Sequence, residues 1–449
     1  STLAPTFGSG VMGVGKGFSG PQGAFTVQYA PPDTVGAVGA TQYVQVVNTG
    51  LAVFDKATKA VVYGPVPTSS LWAGFGGGCQ TNNDGDATVV YDKAADRWVI
   101  SQFSVSTTPY LQCVAVSQTS DATGAYNRYA FSYGNTAFPD YPKTGVWPDG
   151  YYTTFNIFNN GTTFGGAKLC AYDRSAMLSG AAATQQCFQL STSYGGVLPS
   201  DLDGSTQPAA GTPNFLMNFG SNSLNLWKFH VDWANTANTS LSGPTNLSVP
   251  TFAPACGGGT CIPQGGVSQK LDSLADRLMY RLAYRKFADH DSLVVTHSVN
   301  PNGSTKNPKQ QAAAVRWYEV RNPGTAATVY QASTYKPDSS FRWMGSIAMD
   351  KAGNTALGYS VSSGTLKPAA RYTGRLATDA LNTMQAEASL VEGGGSQTGS
   401  NLSRWGDYSA MTVDPVDDCT FWYTTEYLTA NGAFNWSTRI GSFKFAGCQ

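Results

Sequence analysis

Residues 403–448 read SRWGDYSAMTVDPVDDCTFWYTTEYLTANGAFNWSTRIGSFKFAGC, and this stretch decides the fold. Residues 404–413 are apolar-rich and extended. DPVDD at 414–418 is a turn, with Pro and Asp supplying the geometry. Residues 419–427 form a second run, dense in aromatic and β-branched side chains that favour strands. A Gly/Asn loop follows, then more strand at 436–445. Three or four antiparallel strands in about 45 residues is the size of one propeller blade.

The same grammar of strand, Asp/Gly turn, strand and outer strands returns along the chain. A first repeat spans 33–66 and a second 86–133; others start at Asp140, near Asp201, at 277, at 342 and at 404. Helical periodicity is nearly absent; the best exception, 267–279, reads as one helical turn leading into a strand. A single unit cannot bury its faces, whereas stacking around a ring does. The expected fold is therefore all-β: a single seven-bladed β-propeller, disulfide-stabilised, over residues 25–449. Residues 1–24 form a Gly-rich N-terminal arm or cover, and FTVQYA at 25–30 is a candidate strand for completing the last blade. A β-sandwich with a second β domain leaves the sevenfold return unexplained.

The composition suits many short strands and tight turns: 449 residues, 50 Gly, 23 Pro and only 12% charged. Basic and acidic residues balance at 28 each, so no electrostatic footprint for nucleic acid is present. No apolar run approaches the roughly 20 residues of a membrane span. Ser1 in place of Met fits a mature form after removal of a leader. The eight cysteines form no CxxC and have no His at finger spacing. Their even count in a low-Lys chain reads as disulfides outside the cytoplasm, in a secreted or periplasmic protein. Pairing by neighbourhood gives Cys79–Cys113, Cys170–Cys187, Cys256–Cys261 and Cys419–Cys448. Six Asn-x-Ser/Thr sequons occur, most of which chance can explain in a chain this rich in Asn, Ser and Thr.

In a propeller the starts of the inner strands and the ends of the second strands converge on one face around the axis. The starts give Asp33, Asp86, Asp140, Tyr141, Lys143, Asp203, Arg277, Arg342, Trp343, Arg404, Asp407 and Tyr408. The second-strand ends give Asn48, Gln102, Asn156, Asn218, His297, Tyr359 and Glu426. Aromatic faces stack on sugar C–H faces, and amides and carboxylates bind hydroxyls. Two carboxylates from Asp86, Asp203, Asp407 and Glu426 could hydrolyse a glycosidic bond. Alternatively, His297 or Tyr359 could abstract a proton beside a uronate neutralised by Arg342 or Arg404, in a lyase. Arg342, Trp343, Arg404, Tyr408, Asn48 and Gln102 are the candidate substrate binders. An Asp at a blade start also caps backbone amides, and a His at a strand end is commonly structural. Asp84 with Asp86, and Asp201 with Asp203, space hard oxygen ligands as calcium prefers, without a full twelve-residue loop. No cofactor is required, and Ca²⁺ is the one metal these clusters suggest.

Several blocks resemble a widespread family of secreted bacterial β-propeller proteins. They are PPDTVGAVGATQYVQVVN, DYPKTGVWPDGYY, LPSDLDGS, SQKLDSLADRLMYRLAYR, RWMGSIAMDKAGNTALGYSVSS and SRWGDYSAMTVDPVDDCTFWYTTEY. The resemblance implies export and a propeller but supplies no catalytic residues. A looser similarity to sialidase-like propeller glycosidases and lyases rests on fold and repeat grammar. The expectation is a secreted carbohydrate-active protein that cleaves glycosidic bonds in a polysaccharide or glycoconjugate at the axial mouth. A non-catalytic glycan-binding or adhesion protein, and a surface protein that self-associates through strand edges, are the alternatives.

Overall fold

In a computed structural model, which describes residues 4–449, nearly all regular structure is β-strand. Five sheets are four-stranded antiparallel meanders, and an eight-stranded sheet contains two more. The first strands of these meanders are, in chain order, Val35–Val38, Thr88–Asp92, Ala137–Trp147, Leu198–Asp203, Met279–Lys286, Phe341–Met349 and Ala410–Val413. They lie side by side in that order, and the last lies against the first, so the chain closes on itself.

Burial follows from this arrangement. Val35–Val38, Thr88–Asp92, Leu198–Asp203 and Ala410–Val413 are buried at every position, since each inner strand is covered on both faces. The outer strand Ser240–Ser248 is mostly exposed, and Ser, Thr and Asn line it. Close approach of neighbouring meanders needs small residues. A side chain at Gly358 would enter the ring of Tyr423 in the next meander, and one at Gly145 would meet the carbonyl of Ser200.

Fourth and fifth meanders are fused rather than separate. Ser200–Asp203 pairs in parallel with Leu282–Arg285, making the eight-stranded sheet. Arg281 supplies the physical reason, because its guanidinium binds Asp201 and Asp203 across that seam.

The seventh meander takes its fourth strand from the other end of the chain. Thr6–Met12 pairs antiparallel with Ser437–Lys444, from Thr6 opposite Lys444 to Met12 opposite Arg439. Residues 25–30 contain no strand. Their Phe25 packs on Trp436, and Pro31 and Pro32 follow, where missing N–H groups end any ladder. Nor does a helix form over 267–279. Leu271–Asp272 pairs with Thr260–Ile262, and the Asp272 carboxylate accepts from Leu274 N, which turns the chain instead.

All four disulfides join the cysteines that neighbourhood paired. Cys419–Cys448 closes a separation of 29 residues and ties the C-terminal end to the seventh meander. Replacing both cysteines by Ser is expected to lower unfolding stability by about 2–4 kcal/mol, read as a lower midpoint in urea.

Candidate functional site

Five meanders present a residue at or near the start of the inner strand in the left-handed backbone region: Asp33 (φ 52°), Asp86 (φ 46°), Tyr141 (φ 58°), Met344 (φ 57°) and Asp407 (φ 67°). Asp tolerates that region better than most residues; Tyr does not, and here a bulge imposes it. The ladder between Ala137–Trp147 and Gly150–Asn159 slips between Asp140 and Lys143, leaving Tyr141 and Pro142 unpaired. The bulge turns the Lys143 side chain inward. Asn48, at the end of its second strand, braces the neighbouring loops: its amide donates to Pro31 O at 3.1 Å and its Oδ1 accepts from Asp86 N at 3.2 Å.

Lys143 is wholly buried, with Nζ 3.5 Å from the Tyr141 ring centre and 3.7 Å from that of Tyr408. It donates to Pro142 O at 3.0 Å. Burial pushes its pKa down to about 8, against the attraction of Asp86, Asp33 and Asp140. The Tyr408 hydroxyl donates to Asp33 Oδ2 at 3.0 Å. Burial, and then the charges of Asp86 and Asp407, hold Asp33 well above the usual carboxylate range. Asp140 is pushed up to about 6 by burial and by Asp86. Arg404 clasps Asp407 with two nitrogens, yet burial outweighs that pairing and keeps the Asp407 pKa raised. Arg277 lies 4.6 Å from the Tyr141 ring centre and is paired with Asp276.

Within this group, Asp33 and Lys143 are sealed, while Asp86, Asp140, Arg277 and Arg404 reach solvent. Asp407 is committed to Arg404. Asp86 and Asp140 are thus two solvent-reaching carboxyls with no arginine clasping them, electrostatically coupled to each other. An adjoining cavity of about 400 Å³ is lined by Phe158, Phe164, Phe219, Asn156, Asn218 and Arg277. Asn156 and Asn218 hold its wall, accepting from Gly196 N at 2.9 Å and donating to Gly195 O at 3.1 Å.

The structure brings Asp86, Asp407, Tyr408, Arg404 and Asn48 to this mouth. Glu426 sits behind it, fully buried, accepting from Gly406 N at 2.7 Å; burial raises its pKa well above the usual range. Gln102 is also buried, donating to Asn83 Oδ1 at 3.2 Å. His297 is enclosed by Phe219, Phe252 and Tyr318, and burial lowers its pKa to about 3. Tyr359 donates to Glu387 at 2.5 Å, and the same carboxylate binds Arg342. Arg342 and Trp343 have no exposed surface.

Asp203 lies elsewhere. It ends Leu198–Asp203, at the opposite end of the axis, where Arg281 binds it at 2.8 and 2.6 Å and Lys93 at 3.2 Å. Asp201 accepts from the same Arg281 and from Val146 N. Asp84 accepts from Val105 N and Ser106 N at 2.7 and 2.9 Å. Among the described residues, no three or more His, Cys, Asp or Glu side chains gather closely enough to hold a metal ion. Asp140, Tyr141, Lys143 and Arg277 belong to the ring that the repeat starts define, yet sequence assigned them no chemical role. The signal available was YPK after Asp140, an aromatic and a cation flanking a Pro in a strand.

No protein-family model matches the chain, and no curated protein matches its sequence. Among solved structures, an α-L-arabinofuranosidase from Fusarium graminearum is 8% identical, with a TM-score of 0.43, over 100% of this chain and 99% of that one. An ulvan lyase of a polysaccharide lyase family is 10% identical, with a TM-score of 0.39, over 97% of each chain. A subtype N10 neuraminidase-like protein of A/little yellow-shouldered bat/Guatemala/060/2010 is 8% identical, with a TM-score of 0.38, over 78% of this chain and 97% of that one. At these scores the likeness carries nothing about what the chain does.

Proposed function

We propose that the ring of meanders is a seven-bladed β-propeller, exported from the cell, that hydrolyses glycosidic bonds at the mouth formed by Asp86 and Asp140. The observation that carries this reading is the pair itself: two accessible carboxyls at one mouth, with Asp140 pushed up to about 6. Hydrolysis of a glycoside needs an acid that keeps its proton near neutrality and a second carboxylate. Asp140 gives its proton to the leaving oxygen as the glycosidic bond breaks. Asp86 either takes a proton from the attacking water or attacks the anomeric carbon itself. Tyr141, Arg277 and the aromatic cavity beside them position the sugar, and Lys143 holds the ring of carboxyls together. The reaction uses these side chains alone and calls for no cofactor. The four disulfides support export, and no described helix is long and apolar enough to cross a membrane.

The pH profile tests the pair. Asp140 acts only while protonated, so kcat/KM on a cleaved glycan is expected to fall as pH rises through about 6. Products should carry new reducing ends and no unsaturated uronate. Unsaturation would point to elimination instead and move the base away from these carboxyls. A second reading, binding without cleavage, is favoured by the aromatic cavity, whose Phe158, Phe164 and Phe219 offer ring surface apart from the carboxyls. Glycan retention on the protein with no new reducing ends would establish it.

A further inference from the structure

One cavity in the fold has no part in the chemistry above. It lies at the other end of the axis, where inner strands turn into second strands, and its volume is about 640 Å³. Turns from the first, second, fourth, sixth and seventh meanders supply its wall, among them Asp96, Ser205, Gln207, Lys351 and Val416. The Tyr91 ring forms one side and is fixed edge-on against Trp98, with centroids 4.8 Å apart. This volume falls within the range of small-molecule sites.

Charge and hydrogen bonding decide what the cavity can take. Lys93 is answered by Asp203 at 3.2 Å, and Asp418 is answered by Arg285 through two bonds of 2.8 Å. Asp417 is satisfied by Cys419 N, Thr420 N and the Thr420 hydroxyl. Three charges have no oppositely charged partner among the described residues: Asp96, Lys351 and Asp417, whose donors are all neutral. Asp96 Oδ1 is buried and has no hydrogen-bond partner. The side chains of Ser205 and Gln207 likewise bond to no described residue. A wall so near to neutral gives no strong attraction to a phosphate or a metal ion. Unfilled donors and acceptors beside an aromatic ring suit a ligand with many hydroxyls and no charge.

We propose that this cavity is a second binding site, for a neutral mono- or disaccharide unit, independent of the carboxyl mouth at the opposite end. Asp96 and Gln207 accept and donate to adjacent hydroxyls, Lys351 donates from the rim, and the Tyr91 ring backs the sugar.

Calorimetric titration of the whole protein with cellobiose, maltose and lactose tests this. At least one disaccharide should bind saturably, with Kd in the millimolar range or tighter. Asp96→Ala and Gln207→Ala should each weaken it about tenfold, as loss of a hydrogen bond to an accepting or donating group does. Gln207 is exposed in a loop, so that variant keeps the test valid if Asp96→Ala fails to fold. Asp86→Asn should leave this binding unchanged. Absence of saturable binding by all three sugars would overturn the proposal, as would binding lost in Asp86→Asn and kept in the Asp96 and Gln207 variants.

Discussion

Arg281→Ala is expected to destabilise the fold by about 3–5 kcal/mol, the cost of breaking a buried ion pair from one side. Arg281 is 2% exposed and lies between two carboxylates, bonding Asp201 at 3.0 Å and Asp203 at 2.8 and 2.6 Å. Its Nε also donates to Met411 O at 2.9 Å, and Asp201 in turn accepts from Val146 N. One side chain therefore joins the third, fourth, fifth and seventh meanders. Truncation removes the cation and leaves both carboxyls without it in the interior, where ionisation is costly. Urea unfolding followed by tryptophan fluorescence measures the loss. Arg281→Lys should fall between parent and alanine variant, because a point charge cannot reproduce the two-pronged bond. A loss below about 1 kcal/mol would mean that the seam is held by strand pairing alone.

Asp86→Asn is expected to lower glycan cleavage by about 10²–10⁴-fold, the usual worth of a positioned acid or base. The change is isosteric, and the backbone N–H of residue 86 keeps its bond to Asn48, so folding should hold. Asp203→Asn gives the contrast. It weakens the Arg281 contact and should lower stability, with no direct effect on the chemical step. A variant pair that behaved the other way round would place the reacting carboxyls at the opposite end of the axis.

The architecture was legible because its causes are local. DPVDDC forms the expected turn, with Asp414 accepting from Val416 N and Asp417 from Cys419 N. The four disulfides join segments that are neighbours in the chain, so proximity alone found them. The ring closure was harder to read, because TFGSGVM is Gly-rich and pairs with a strand more than 400 residues away in sequence.

The mouth was legible only in part. Asp86 and Asp203 look alike on the page, each beside a Gly and a second Asp. Asp86 precedes its strand, whereas Asp203 ends one, and the two ends of a strand lie on opposite faces. His297 follows an apolar run and reads as a strand end. Yet Asp291–Val299 is covered on both sides by its neighbours, so alternation does not mark a solvent-facing side. Lys143 needed the bulge at Tyr141 and Pro142, which no local pattern in DYPKTGVW specifies. The aromatic cavity draws on Phe158, Phe164 and Phe219, which only the packing of third and fourth meanders brings together.

The central claim, hydrolysis at the carboxyl mouth, is tested most directly by release of reducing ends from a broad panel of polysaccharides, parent beside Asp86→Asn and Asp140→Asn. The account predicts that the parent cleaves at least one glycan without forming unsaturated uronates, and that both variants fold and lose the activity. Cleavage that survives in both folded variants, or no cleavage of any glycan by the parent, would contradict it.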